Sequence, residues 1–159
     1  MLILRIMLLV LLCGQFADGH KLFCQSRYTR HYSRADYDNQ AQNWGILQDQ
    51  RGIIFVANHG GLMEFDGVSW REIPVPNKNV RSLAMDKNGT VYVGGLNGIG
   101  FLAACDNRTV IYRSLLPHLD KSHRHFGSVW RTVSTKEGIY FCTSKYLFFW
   151  NWKTMICRA

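Results

Sequence analysis

The sequence lacks most of the signatures that announce catalysis. It contains no Gly-x-Ser-x-Gly nucleophile elbow and no Walker-type phosphate loop. Among its 5 cysteines no Cys-x-x-Cys occurs, so zinc-ribbon and thioredoxin-like readings have no support. Formal net charge is +8, yet no run of five or more Lys/Arg is present. The positive charge is scattered, densest between His118 and Arg131 with Lys121 and Arg124. Scattered charge reads as solubilising, and no nucleic-acid partner is expected for this segment. The N-terminal apolar run, Ile6 to Cys13, falls short of the roughly 20 residues that cross a bilayer. Proline is scarce, at 3 residues in 159.

What is present points to a packed β-protein. A hydrophobic content of 47% and an aromatic content of 13% suffice for a core and exclude a disordered tail. The 14 glycines are well spread, as many short elements joined by tight turns require. Arg5 precedes the short apolar run, and Ala17-Asp18-Gly19 follows with small residues at the positions a signal peptidase reads. Residues 1–19 are therefore expected to be a signal peptide cut after Gly19. The alternative is a buried N-terminal strand or helix, and Leu12 argues against a lipid anchor at Cys13. Cleavage leaves Cys24, Cys105, Cys142 and Cys157 in an oxidising compartment, with three fully paired connectivities open.

An internal repeat organises the remainder. Gly52-Ile53-Ile54-Phe55-Val56-Ala57 returns as Gly89-Thr90-Val91-Tyr92-Val93-Gly94 and as Gly138-Ile139-Tyr140-Phe141-Cys142-Thr143. The third residue after each glycine is aromatic: Phe55, Tyr92 and Phe141. Asp49-Gln50-Arg51-Gly52 matches Asp86-Lys87-Asn88-Gly89, and Ser134 to Gly138 is a longer version. An Asp-x-x-Gly turn lets the aspartate accept from nearby backbone N–H groups while glycine takes positive φ. Strand-like runs precede each turn: Trp44 to Leu47, Val80 to Met85 and Val129 to Val133. Trp44 and Trp130 each stand eight residues before their glycine. Two more strands follow each copy, the first pair joined by Asp66-Gly67, a strong hairpin signal. Each unit thus holds four strands. The glycines lie 37 and 49 residues apart, with the excess in Leu115 to Phe126.

Four antiparallel strands in roughly 40 residues, repeated in tandem, make a propeller blade. The expected fold is all-β: a partial β-propeller of about three four-stranded antiparallel blades after the signal peptide. The boundaries read 1–19 signal peptide, 20–42 polar leader and 43–159 propeller, with blades at about 43–75, 79–115 and 127–159. A small closed sandwich of the twelve strands is the alternative. Complete propellers need four to eight blades, so three leave open faces, and a fragment of a longer protein or a pairing chain is expected.

Gly45 to Asn58 followed by Gly61 to Trp70 resembles the two-component regulator propeller repeats, found in periplasmic sensors of hybrid histidine kinases and related regulators. Val80 to Asp86 leading to Val91-Tyr92-Val93-Gly94-Gly95 fits the same repeat, as does Ser114 to Leu119 leading to Phe126 to Trp130. The resemblance spans roughly Asn43 to Trp152. It implies a seven-bladed propeller, a following β-sandwich, a membrane helix and a cytoplasmic output module: histidine kinase, phosphatase or helix-turn-helix domain. It also implies sensing of an extracellular ligand, in some cases a glycan fragment.

Candidate chemistry meets plainer explanations. His123-Arg124-His125 has the spacing of a metal pair, but no third ligand is evident and a solvated loop explains it. Asp49, Glu64 and Asp66 are candidate acid/base carboxylates, better explained by turns. Gly94 to Gly100 superficially resembles a dinucleotide loop, but it joins two strands rather than opening a helix. Asn88-Gly89-Thr90 and Asn107-Arg108-Thr109 match the glycosylation triplet. Trp44, Trp70, Trp130, Trp150 and Trp152 are expected to be mostly blade core, with stacking on a sugar ring the alternative.

The expectation is an exported, periplasmic, ligand-sensing module of a bacterial two-component-type receptor that is no enzyme, with no catalytic residue, cofactor or metal assigned. A secreted propeller enzyme acting on glycans and a non-catalytic interaction scaffold are the alternatives. Candidate partners are an extracellular glycan or other small ligand, the missing blades, an output module and a second copy in a homodimer.

Overall fold

The computed structural model describes residues 29–105 and 109–159; the expected signal peptide, Cys24, and Asn107 and Arg108 of the second glycosylation triplet lie outside them. Residues Tyr32–Ala159 form one unit, and the fold described here is theirs. Twelve strands form three four-stranded sheets, each an antiparallel meander in chain order. Blade one holds β1 (Asn43–Gln48), β2 (Ile54–Asn58), β3 (Gly61–Phe65) and β4 (Trp70–Ile73). Blade two holds β5 (Val80–Met85), β6 (Val91–Gly95), β7 (Gly98–Ala104) and β8 (Val110–Ser114). Blade three holds β9 (Arg131–Ser134), β10 (Ile139–Cys142), β11 (Leu147–Trp150) and β12 (Met155–Arg158). The sheets stack face on face and do not merge into one closed barrel. Their first strands β1, β5 and β9 lie close together, while the last strands touch far less, so the blades splay outward.

The hairpin turns form for the reason the sequence gives. The Asp49 carboxylate accepts from the N–H groups of Arg51 and Ile53 at 2.9 and 3.0 Å, and Asp86 does the same with Asn88 and Thr90 at 2.9 Å each. Gly52 and Gly89 take φ of 88° and 83°, a conformation a side chain would strain.

The alternating strand faces then build two interblade cores. Phe55, Ala57, Leu62 and Ile73 on the forward face of blade one pack against Val91, Val93 and Leu102 on the back of blade two. Tyr92 and Ile99 on the forward face of blade two meet Ile139, Phe141, Phe148 and Trp150 of blade three. Each large side chain so buried contributes roughly 1.5–3 kcal/mol. At the centre of the second interface Ser82 Oγ donates to the Val129 carbonyl at 2.9 Å and lies 2.8 Å from Thr132 Oγ1. Leu115, Leu119 and Phe126 anchor the long insertion in this same core, so that segment is a plug built on two 3-10 turns rather than a free loop.

The third repeat departs from its sequence alignment by one residue. Asp49 and Asp86 close their loops by donating N–H to the carbonyl four residues on, Ile53 and Thr90, whereas Thr135 donates to Gly138, three residues on. The Thr135 hydroxyl stabilises the tighter loop: it donates to the Gly138 carbonyl at 2.9 Å and accepts from the N–H groups of Glu137 and Gly138. Removing one loop residue flips the faces of everything that follows. Tyr140, not Phe141, therefore takes the place of Phe55 and Tyr92. Phe141 points back into the core, and Tyr140 lies on the forward face in a row with Val133, Phe149 and Ile156. Val133 and Ile156 are 38% and 42% exposed there.

Candidate functional site

The polar leader brings aromatic side chains to the back of blade one. Its one-turn helix α1 (Arg34–Tyr37) starts at Ser33, whose hydroxyl donates to the Asp36 carboxylate at 2.7 Å. Asn58, fully buried, ties the leader down by donating to the Gln40 carbonyl at 2.6 Å and to Asn43 Oδ1 at 2.7 Å. Tyr32 then stands edge-on to Phe65 and Trp70 at 5.1 and 5.4 Å, and Phe65 stacks on Trp70 at 4.7 Å. Between leader and β1 remains an open cleft of about 450 Å³ lined by Tyr32, Tyr37, Trp44, Ile46, Val56 and Trp70, with Asn43 as a polar group. Ile46 is 73% exposed at its rim.

Beside the cleft, a second cluster gathers where the first strands converge. The Arg81 guanidinium carbon sits 3.8 Å from the centre of the Trp44 ring and 5.2 Å from that of Trp130. The two indoles lie 6.4 Å apart at 76°. Trp130 Nε1 donates to Ser144 Oγ at 3.2 Å.

The other residues singled out by sequence resolve differently. Asp66 accepts from the N–H groups of Val68 and Ser69 at 2.8 and 2.7 Å, and these bonds hold its carboxyl below the ordinary aspartate range. Glu64 pairs with Arg71 across the strands at 2.7 Å. With Asp49 closing its turn and bonded to Arg51, all three candidate carboxylates have structural partners. His123 contacts Ser122 and the Tyr146 ring, Arg124 donates twice to the Leu119 carbonyl, and no group of three metal-binding side chains is found among the described residues. The glycine run 94–100 spans a tight hairpin, and a Cβ on Gly94 would lie 2.6 Å from Val129 Cγ1. Cys105, Cys142 and Cys157 are all free. Burial, with the Asp86 charge adding to it, raises the Tyr92 phenol to about 12, and burial raises Tyr112 to about 12.

The tryptophans correct the expectation of a mostly buried set. Trp150 alone among the five is in the buried core, while Trp44, Trp130 and Trp152 are 38%, 55% and 41% exposed. Arg81 escaped the sequence reading, although the signal was available: like Trp44 and Trp130 it stands eight residues before its repeat glycine.

Residues 74–97, the end of blade one through β6, match the family model described as two component regulator propeller. No curated protein matches the chain. Among solved structures, the extracellular domain of a B. thetaiotaomicron protein described as hybrid two component system BT3049 aligns at a TM-score of 0.56 and 17% identity, over 77% of this chain. That of a one component system from the same organism, BT4673, aligns at 0.56 and 18%, over 74% of this chain. The chain spans about a sixth of the length of either domain, 16% in both cases. No helix among the described residues is long and apolar enough to cross a membrane. The chain is thus a three-bladed β-propeller segment in which residues 74–97 are similar to the two component regulator propeller family.

Proposed function

We propose that this chain is part of the extracytoplasmic, ligand-sensing propeller of a bacterial two-component-type receptor, and that it binds without turning over its ligand. The observation that carries the reading is the aromatic cleft of about 450 Å³ beside the half-exposed Trp44–Arg81–Trp130 cluster. Flat aromatic faces with few polar groups suit ring-shaped ligands such as sugars. The three candidate acid/base carboxylates, Asp49, Asp66 and Glu64, are committed to turns and a cross-strand ion pair. An exported, periplasmic location accords with relatives that are extracellular domains. Further blades belong to the reading: the row Val133–Tyr140–Phe149–Ile156 repeats the layout by which blades one and two receive their successors. An output module on the far side of the membrane would report occupancy.

Calorimetric titration of the purified chain with a panel of neutral and acidic oligosaccharides tests this, with chromatography of the same mixtures. Saturable binding with intact oligosaccharides is the expected result. Release of shorter products would replace sensing by a glycan-cleaving activity, and no binding to any member would sink the reading.

A further inference from the structure

We propose that Trp44, Arg81 and Trp130 form a binding subsite for a carboxylate carried on a saturated ring, an acidic sugar by class. The inference rests on the ligand-sensing reading and names its chemistry.

The three side chains come from one repeat position in three successive blades. In β1 the register passes from Asn43↔Asn58 to Gly45↔Ala57, leaving Trp44 as the extra residue. In β5 it passes from Val80↔Gly95 to Ser82↔Gly94, leaving Arg81. Trp130 directly precedes β9 at the same distance from its hairpin, its N–H bonded to the Cys142 carbonyl. A bulge leaves its residue outside the ladder and re-aims the side chain. The bulges do this for Trp44 and Arg81, and with Trp130 this repeat position sends one side chain per blade to the place where the first strands meet.

Arg81 is the chemical centre of the cluster. Both indole rings lie within the roughly 6 Å over which a ring face attracts a cation. The ion pairs Arg51–Asp49, Arg71–Glu64 and Lys78–Glu72 leave Arg81 out, and no carboxylate among the described residues is found paired with it. Its Nε is buried and has no hydrogen-bond partner. A guanidinium held against a ring face offers its N–H groups in one plane, the geometry that matches a carboxylate. One guanidinium with no second cation in the cluster balances a monoanion better than a phosphate dianion. Trp130, 55% exposed and fixed by its bond to Ser144, offers a preset platform for the apolar face of the ring that carries the acid. Trp44 also lines the aromatic cleft, so a longer ligand can continue from the subsite across the back of blade one. A cluster serving only to lock the blades together would gain by burying both indoles and would have no use for an unpaired charge.

The test is a tryptophan-fluorescence titration of the purified chain with glucuronate, glucose and acetate, repeated on Arg81→Gln, Arg81→Lys and Trp130→Ala, with thermal melts confirming that each variant is folded. The expected result is saturation by glucuronate at concentrations at least about tenfold below those needed for glucose or acetate, since a bond to a charged group contributes at least a factor of that order. Arg81→Gln should bring glucuronate down to the level of glucose, Arg81→Lys should recover only part of the loss, and Trp130→Ala should weaken glucuronate and glucose together. If neutral oligosaccharides bind while glucuronate does not, or if glucuronate binding survives Arg81→Gln unchanged, the acidic-sugar subsite is overturned and ligand sensing stands. If neither glucuronate nor any oligosaccharide of the panel binds, both readings fall.

Discussion

The one-residue shift in blade three makes a sharp energetic prediction. Phe141 is fully buried, lies opposite Phe148 and Thr132, and stands 6.4 Å from the Tyr92 ring across the blade interface. Phe141→Ala removes a whole ring from a packed core, which costs about 3–5 kcal/mol. Tyr140 lies on the open forward face, and its main aromatic neighbour is Phe149 at 4.6 Å. Tyr140→Ala in the 159-residue chain loses one cross-strand pair and should cost about 1 kcal/mol. For a protein of this size the two changes translate to falls in Tm of roughly 6–20 °C and 2–4 °C. Urea unfolding followed by circular dichroism measures both. If the sequence alignment placed the side chains correctly, Phe141 would be the exposed aromatic and the order would reverse. A Tyr140→Ala variant as unstable as Phe141→Ala would refute the shifted register and the forward-face row built on it.

Two further outcomes follow from the interblade contacts. Gly94→Ala would put a methyl 2.6–2.8 Å from Val129 Cγ1, Ser82 Oγ and Thr132 Oγ1, so overpacking and loss of the buried hydroxyl pair should lower stability by about 1–3 kcal/mol, read as a lower urea midpoint; an unchanged midpoint would show that blades two and three are not held that closely. Tyr92 and Tyr112 have phenols raised to about 12 against an ordinary value of 10, so their contribution is fully present below pH 10 and is lost as pH rises through about 12. The Tm should therefore fall between pH 10 and 12, and the Tyr92→Phe/Tyr112→Phe double variant should show a shallower fall, whereas an identical slope would place both phenols in water.

The sequence alone determined the architecture, because its signals are local. An aspartate that folds onto its own backbone and a glycine that accepts positive φ mark a turn wherever they stand, and Asp49–Gly52 and Asp86–Gly89 mark two of them. Counting four strand runs per turn was enough to give three antiparallel blades, since a meander needs only local pairing. The turn roles of Asp49 and Asp66 were legible for the same reason. What sequence could not decide was which face each side chain takes and what meets across blades. Strand side chains alternate, so a single residue lost from the Thr135 turn reverses Tyr140 and Phe141 while leaving the repeat letters aligned. In sequence the stretch from Leu115 to Phe126 was only an excess of length between repeats, and only the core it enters made Leu115, Leu119 and Phe126 anchors. The candidate site belongs to this second class. Trp44, Arg81 and Trp130 lie far apart along the chain and meet because one repeat position, bulged in β1 and β5 and just ahead of β9, turns toward the convergence of three sheets, a proximity that exists only once the blades are stacked.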